Sequence, residues 1–215
     1  MNDRSRSALH LLLLVPLLLI AAVSSGCTRK IPAASATFDP ANPPYTFYND
    51  GETFFLAVDV RTARNIGEKY SFLPLQIALH SKRRDLLTFG RESFVLETAD
   101  GRHLPLAAAS EVRLNYPRVR QDRHFGRVFL GLMRGQFPSP PFILRPLDMF
   151  PLPGSGTTPR ETMELHPSHV AIGFLYFPIS LAEARGVNRL LFRPQDSDEE
   201  FVTAVVVTPS DTEAP

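Results

Sequence analysis

Two kinds of side chain in this sequence could do chemistry: one thiol, Cys27, and one close pair of imidazoles, His166 and His169 in "HPSH". A thiol can attack carbon, hold a soft metal or accept a covalent modification, and imidazole nitrogens are common metal ligands. A spacing of three sets the two rings on opposite faces of a strand, and Pro167 is unsuited to a helix interior. A turn would bring them together, but no third ligand is spaced with them. A metal-handling or hydrolytic site near His166 and His169 is therefore the alternative reading, and the first reading has no metal. Gly154, Ser155 and Gly156 lack the G-x-S-x-G spacing of a nucleophile elbow. The acidic run from Asp196 to Glu200 lacks the spaced ligands and the glycine of an EF-hand loop, and reads as a solvated turn. No phosphate loop, dinucleotide fingerprint or H-E-x-x-H motif occurs.

The setting of Cys27 decides how its thiol is read. Met1 to Ser7 carries Arg4 and Arg6 against Asp3; an uncharged, leucine-rich run of thirteen residues, Leu11 to Val23, follows, and then Ser24, Ser25 and Gly26. A basic start, a short apolar stretch and a small-residue end make an export signal. The run falls short of the about 20 residues a spanning helix needs, and Pro16 interrupts it. The stretch "VSSGC" resembles the lipobox of bacterial lipoproteins, with Ser24 standing where leucine is usual. That resemblance implies a diacylglyceryl thioether on Cys27 and cleavage between Gly26 and Cys27, so that residues 1–26 form a signal peptide. Several acyl chains hold a protein on a membrane firmly where a single one does not. Thr28 stands where aspartate marks inner-membrane retention in that family, which implies the periplasmic face of the outer membrane.

Assigning Cys27 to lipid leaves the rest of the chain without a thiol. Disulfides, cysteine nucleophiles, iron–sulfur clusters and thiolate zinc sites are thereby excluded, and no cofactor is expected beyond the covalent lipid. With residues 1–26 removed, 21 basic and 21 acidic side chains remain, a balance that argues against a nucleic-acid partner. The charge is uneven, however. Lys82 to Arg134 holds eleven bases and six acids, and Asp196 to Glu213 six acids and no base. These are either two solvated faces or a basic patch for anionic lipid or an acidic partner. Sugar platforms favour Trp and Tyr, whereas this chain has no Trp, five Tyr and sixteen Phe. Most of those Phe rings are expected in the core, and a sugar ligand is not.

Behind the lipid, residues 27–45 are rich in Pro, Ala and Ser and read as a flexible tether. One domain is expected over 46–209, with a disordered tail at 210–215. Period-two alternation predicts strands at Glu52 to Val60 and Ser71 to His80, the latter beginning at an edge or bulge because Pro74 lacks a ladder donor. Glu92 to Leu106 predicts a hairpin turning at Asp100-Gly101. Further strands are expected at 161–165, 170–177, 188–193 and 201–207. Ala107 to Asn115 has helix formers, and Asp122 to Arg134 has Phe125, Phe129, Leu132 and Met133 at helical spacing with Asp122 as its start. A strand over Val128 to Leu132 competes with that helix.

The fold class this predicts is mainly β: an antiparallel sandwich with one or two short helices and a long proline-rich loop. The paired runs 53–60 and 72–80 and the hairpin "SFVLETADGRHLPL" resemble the immunoglobulin-like sandwich of many bacterial lipoproteins. That resemblance implies a binding or assembly module, not an enzyme, with an envelope protein as its partner. The loop, an insertion at 137–160, carries seven prolines. Its Phe137, Phe142, Met149 and Phe150 are either a lid folded over the core or exposed anchors for a partner.

Overall fold

Leu73, Leu75, Ile77 and Leu79 alternate along β3 (Leu73–Ser81), yet all nine positions of that strand are buried. A strand buried on both faces must have a layer on each side. The computed structural model, which describes residues 45–66, 70–82, 85–136 and 142–208, shows both layers. β3 is the middle strand of a five-stranded sheet in the order β1 (Thr46–Asp50), β2 (Phe54–Asp59), β3, β9 (His169–Phe177), β7 (Ile143–Pro146). Its inner face packs on a four-stranded sheet in the order β11 (Phe201–Val207), β10 (Gly186–Phe192), β5 (Phe94–Glu97), β6 (His103–Pro105). A ribbon of β4 (Leu87–Gly90) and β8 (Thr162–Leu165) joins the same core. The molecule is thus a mainly β sandwich.

The outer face of the five-stranded sheet is covered by helix. Ala57, Ala78, Val170 and Ile172 form a second apolar cluster with Phe129 and Met133 of helix α4 (Arg127–Gln136). The small alanines let the helix approach the strands closely. Three other α-helices are found among the described residues: α1 (Arg61–Ile66), α2 (Ala109–Asn115) and α3 (Val119–Phe125). The sequence implies one or two helices. Of the four, the six residues of α1 are too few to show a period, and Gly126 divides the helix expected over 122–134 into α3 and α4.

The predicted strands appear with ends shifted by a few residues, and the hairpin turns where expected. Gly101 sits at φ +83°, a conformation glycine adopts without strain, between β5 and β6. Pro74 pairs with Tyr176 of β9, and β2 reaches only as far as Gln76, so β3 does begin with one side unpaired. Three strands escape the sequence reading: β1, β4 and β7. Two expectations need correction. Asp122 does not start a helix: α3 begins at Val119 and places Asp122 in its buried interior, while 128–132 is helical. The proline-rich segment is not one long loop either. Its residues 143–146 are β7, which joins the sheet edge parallel to β9, pairing Ile143 with His169 and Pro146 with Ile172. An edge strand is where proline does least harm to a ladder.

Candidate functional site

The helix pair α3–α4 meets the outer face of the sheet at an unusually tight point. A Cβ on Gly126, between the two helices, would lie 2.7–2.9 Å from the Gln76 side-chain amide, closer than real contacts allow. Glycine there lets the Gly126 carbonyl accept a 3.0 Å hydrogen bond from Gln76 Nε2. That bond also settles the orientation of the amide, because a carbonyl needs a donor. Gln76 is only 5 % exposed, and its Oε1 accepts no hydrogen bond among the described residues. A buried carbonyl oxygen without a donor is disfavoured by about 1–3 kcal/mol.

Gln76 lines an open cleft of about 170 Å³, bounded by the α3–α4 corner and by the segment that follows β7. Arg123 and Arg127 stand on the helix side, and Leu130, Leu147, Phe150 and Phe174 supply apolar walls. Arg123 donates to the Phe150 carbonyl at 2.8 Å, which ties the segment after β7 to the helix layer. Arg127 is exposed and makes no ion pair among the described residues. The cleft therefore joins two cationic groups and an apolar wall, and the unpaired Gln76 oxygen lies buried.

Beside the cleft lies a buried polar cluster. Tyr176 Oη donates to Asp122 Oδ2 at 3.2 Å, and the Tyr116 ring packs 5.3 Å from that of Tyr176. Asp122 Oδ1 and Tyr116 Oη have no hydrogen-bond partner among the described residues. Burial pushes the Asp122 carboxyl up to about 6, against the pull of the Tyr116 and Tyr176 hydroxyls and of Arg118. The same burial, with the carboxylate alongside, raises both phenols above their ordinary range. Asp122 is fully buried, so the cluster packs within the fold.

This carboxyl predicts a pH-dependent substitution effect. Its folded value lies above the unfolded 3.8, so the folded state holds the proton more tightly. Below pH ~4 both states are protonated and Asp122 carries no penalty; stability then falls as pH rises toward ~6 and stays reduced above it. Asp122→Asn keeps an acceptor for Tyr176 and removes the ionisation. It should stabilise the protein by about 1–3 kcal/mol at pH 7.5 and have little effect at pH 4, measured as the difference in denaturant midpoints. An equal effect at both values would refute ionisation as its cause.

The residues singled out in the sequence are dispersed. Gly26, Cys27 and Phe137 lie outside the described residues. His166 and His169 are brought together, their rings 5.4 Å apart, because a turn with His169 N–H bonded to the His166 carbonyl at 2.8 Å replaces the extended chain. His166 Nδ1 is engaged with Ser168 Oγ at 2.8 Å, and partial burial lowers the His169 imidazole, with Arg145 and His166 acting in the same direction. No group of three metal-ligating side chains is found among the described residues. Phe142 is half-buried with its ring 4.6 Å from that of His80. Met149 and Phe150 correct the exposed-anchor reading: both are buried, and the Phe150 ring packs 5.1 Å from Tyr176. Once β7 docks on the sheet edge, the chain beyond it is held over the core, and two large apolar side chains gain more inside than out.

The basic stretch acquires a place as well. Arg113, Arg120, Arg127 and Arg134 are exposed on α2–α4, with Leu114, Phe125, Val128 and Leu132 also exposed on those helices. No family model, curated protein or solved structure matches the chain. The site therefore rests on its own geometry. Gln76 was missed because it reads as one polar residue on the solvent side of an alternating strand. The signal available was the amphipathic stripe of Phe129, Leu130 and Met133, which demands a sheet face to cover.

Proposed function

We propose that the chain is a lipid-anchored protein of the bacterial envelope, a non-enzymatic binding or assembly module held on the periplasmic face of the outer membrane through Cys27. The observation that carries the proposal is the position of the only cysteine, directly after "VSSG" at the end of a short apolar run. The cleft beside Gln76 supports the binding half of the reading, since it brings Arg123 and Arg127 to an apolar wall. In this reading the partner is an envelope protein, and the lipid is the one covalent addition.

Mass spectrometry of the protein extracted from membranes tests the anchor. The expected amino-terminal peptide begins at Cys27 and carries the mass of a diacylglyceryl group and a further acyl chain. A peptide beginning at any other residue, or an unmodified Cys27, would overturn it.

A further inference from the structure

Helix α3 passes into α4 without losing its winding. The Gly126 N–H donates to the Asp122 carbonyl at 2.8 Å and the Leu130 N–H to the Gly126 carbonyl at 3.2 Å, so helical spacing carries across the junction. Residues three and four apart therefore stand in rows. Val119, Asp122, Gly126, Phe129 and Met133 are the buried row. Two exposed rows run beside each other on the outward side. In one, Phe125, Val128 and Leu132 keep 43 %, 56 % and 47 % of their surface open. In the other, Arg120, His124, Arg127 and Arg134 follow at helical intervals, with Gly131 between the last two. The one carboxylate in this stretch, Asp122, is buried, so the outward face carries cations and no acid. Arg120, Arg127 and Arg134 form no ion pair among the described residues. At the α3 end, Arg118, Arg120, Gln121 and His124 line an open hollow of about 540 Å³ beside Phe125.

We infer that the outward face of α3–α4 docks on an anionic phospholipid bilayer. Single exposed apolar residues are ordinary, but a row of three beside unpaired cations is the pattern of a helix lying at a membrane interface. Phe125, Val128 and Leu132 enter the edge of the acyl layer, and the arginine row meets the headgroup phosphates through charge-assisted hydrogen bonds. The hollow beside Phe125 seats one such phosphate. Charge decides against self-association through this face: a second copy would bring the same cations and no acid to answer them. The packing of Phe129 and Met133 on the sheet holds the face outward, so docking needs no rearrangement of the fold. The inference goes beyond the envelope reading and does not depend on the lipid at Cys27.

The full chain carrying Cys27→Ser and Gly131→Cys provides the test, since it has one thiol for an environment-sensitive dye and no acyl chain at position 27. A side chain at 131 is exposed and meets nothing within 4 Å. The control puts the thiol at the exposed Ala204 of β11 instead, on the sheet away from the helix layer. Each is titrated with vesicles of phosphatidylcholine alone and with about 30 % phosphatidylglycerol. At position 131 the anionic vesicles should shift emission to the blue and cut quenching by neutral acrylamide at least about threefold. Phosphatidylcholine should do neither, and the dye at position 204 should respond to neither vesicle. Arg120→Gln, Arg127→Gln and Arg134→Gln together should raise the anionic lipid needed about a hundredfold, at about fivefold per base. The three lysine substitutions should retain most of the response, because a bilayer reads charge where a protein partner reads the guanidinium fork. Equal responses to the two vesicles, equal responses at 131 and 204, an unchanged glutamine variant or a lysine variant that fails would each overturn the inference. Protection of position 131 that grows with protein concentration in the absence of vesicles would assign the face to a second copy instead. The anchor is tested separately, by the amino-terminal peptide of the parent protein.

Discussion

Cys27→Ala should remove the protein from the membrane fraction and leave a precursor that still carries residues 1–26. Alanine has no sulfur to form the thioether, and in the lipoproteins that "VSSGC" resembles, cleavage follows lipidation. In the lipoprotein reading the expected loss is close to complete, because acyl chains would supply the attachment. At about 0.8 kcal/mol per buried CH₂, two long chains contribute well over 10 kcal/mol of membrane affinity. Fractionation, with the apparent mass of the accumulated form, checks the result. A Cys27→Ala protein that matures and sediments with membranes as the parent does would sink the lipoprotein reading altogether.

The second large effect is expected at Phe192. Its ring is fully buried and lies 5.8 Å from Phe54, 5.9 Å from Phe89 and 5.0 Å from Phe94. Phe54 belongs to the five-stranded sheet, Phe89 to the ribbon, and Phe94 and Phe192 to the four-stranded sheet, so three sheets meet at this side chain. Without a disulfide elsewhere in the chain, such a junction has no covalent support. Phe192→Ala should destabilise the protein by about 3–5 kcal/mol, through lost burial and the cavity left among rings that cannot collapse from three directions. Phe192→Leu should cost less than half of that, since most of the volume stays filled. Denaturant midpoints would measure both. An alanine variant within about 1 kcal/mol of the parent would mean that the sheets are not joined here.

The strands were legible because each carries its own record of burial. Leu73, Leu75, Ile77 and Leu79 alternate, and Asp100-Gly101 marks its own turn. β7 was not legible, because a parallel edge strand inside a run of prolines takes its identity from β9, which comes later in the chain. Asp122 misled for a related reason. Aspartate favours helix starts, and only the arrival of Tyr116 and Tyr176 makes an interior position tolerable. For the histidine pair the sequence left strand and turn open, and the turn forms. The cleft was beyond reading altogether: Gln76, Arg123 and Phe150 are meaningless apart, and no spacing rule joins them.

The pairing of β3 with β9 sets the order in which this chain can fold. Leu73 must find Phe177 and His80 must find Val170, across the helical block and β7. The β1–β2–β3 meander can form as soon as it is made, but a ladder so distant in sequence is slow to close. Until β9 arrives, β3 presents an apolar strand with one open edge and no cover on either face, the kind of surface on which unfinished chains stick together. A chain delivered from its amino terminus meets that interval every time, so its yield should depend on how fast residues 170–177 follow, or on a chaperone that shields β3 while they do.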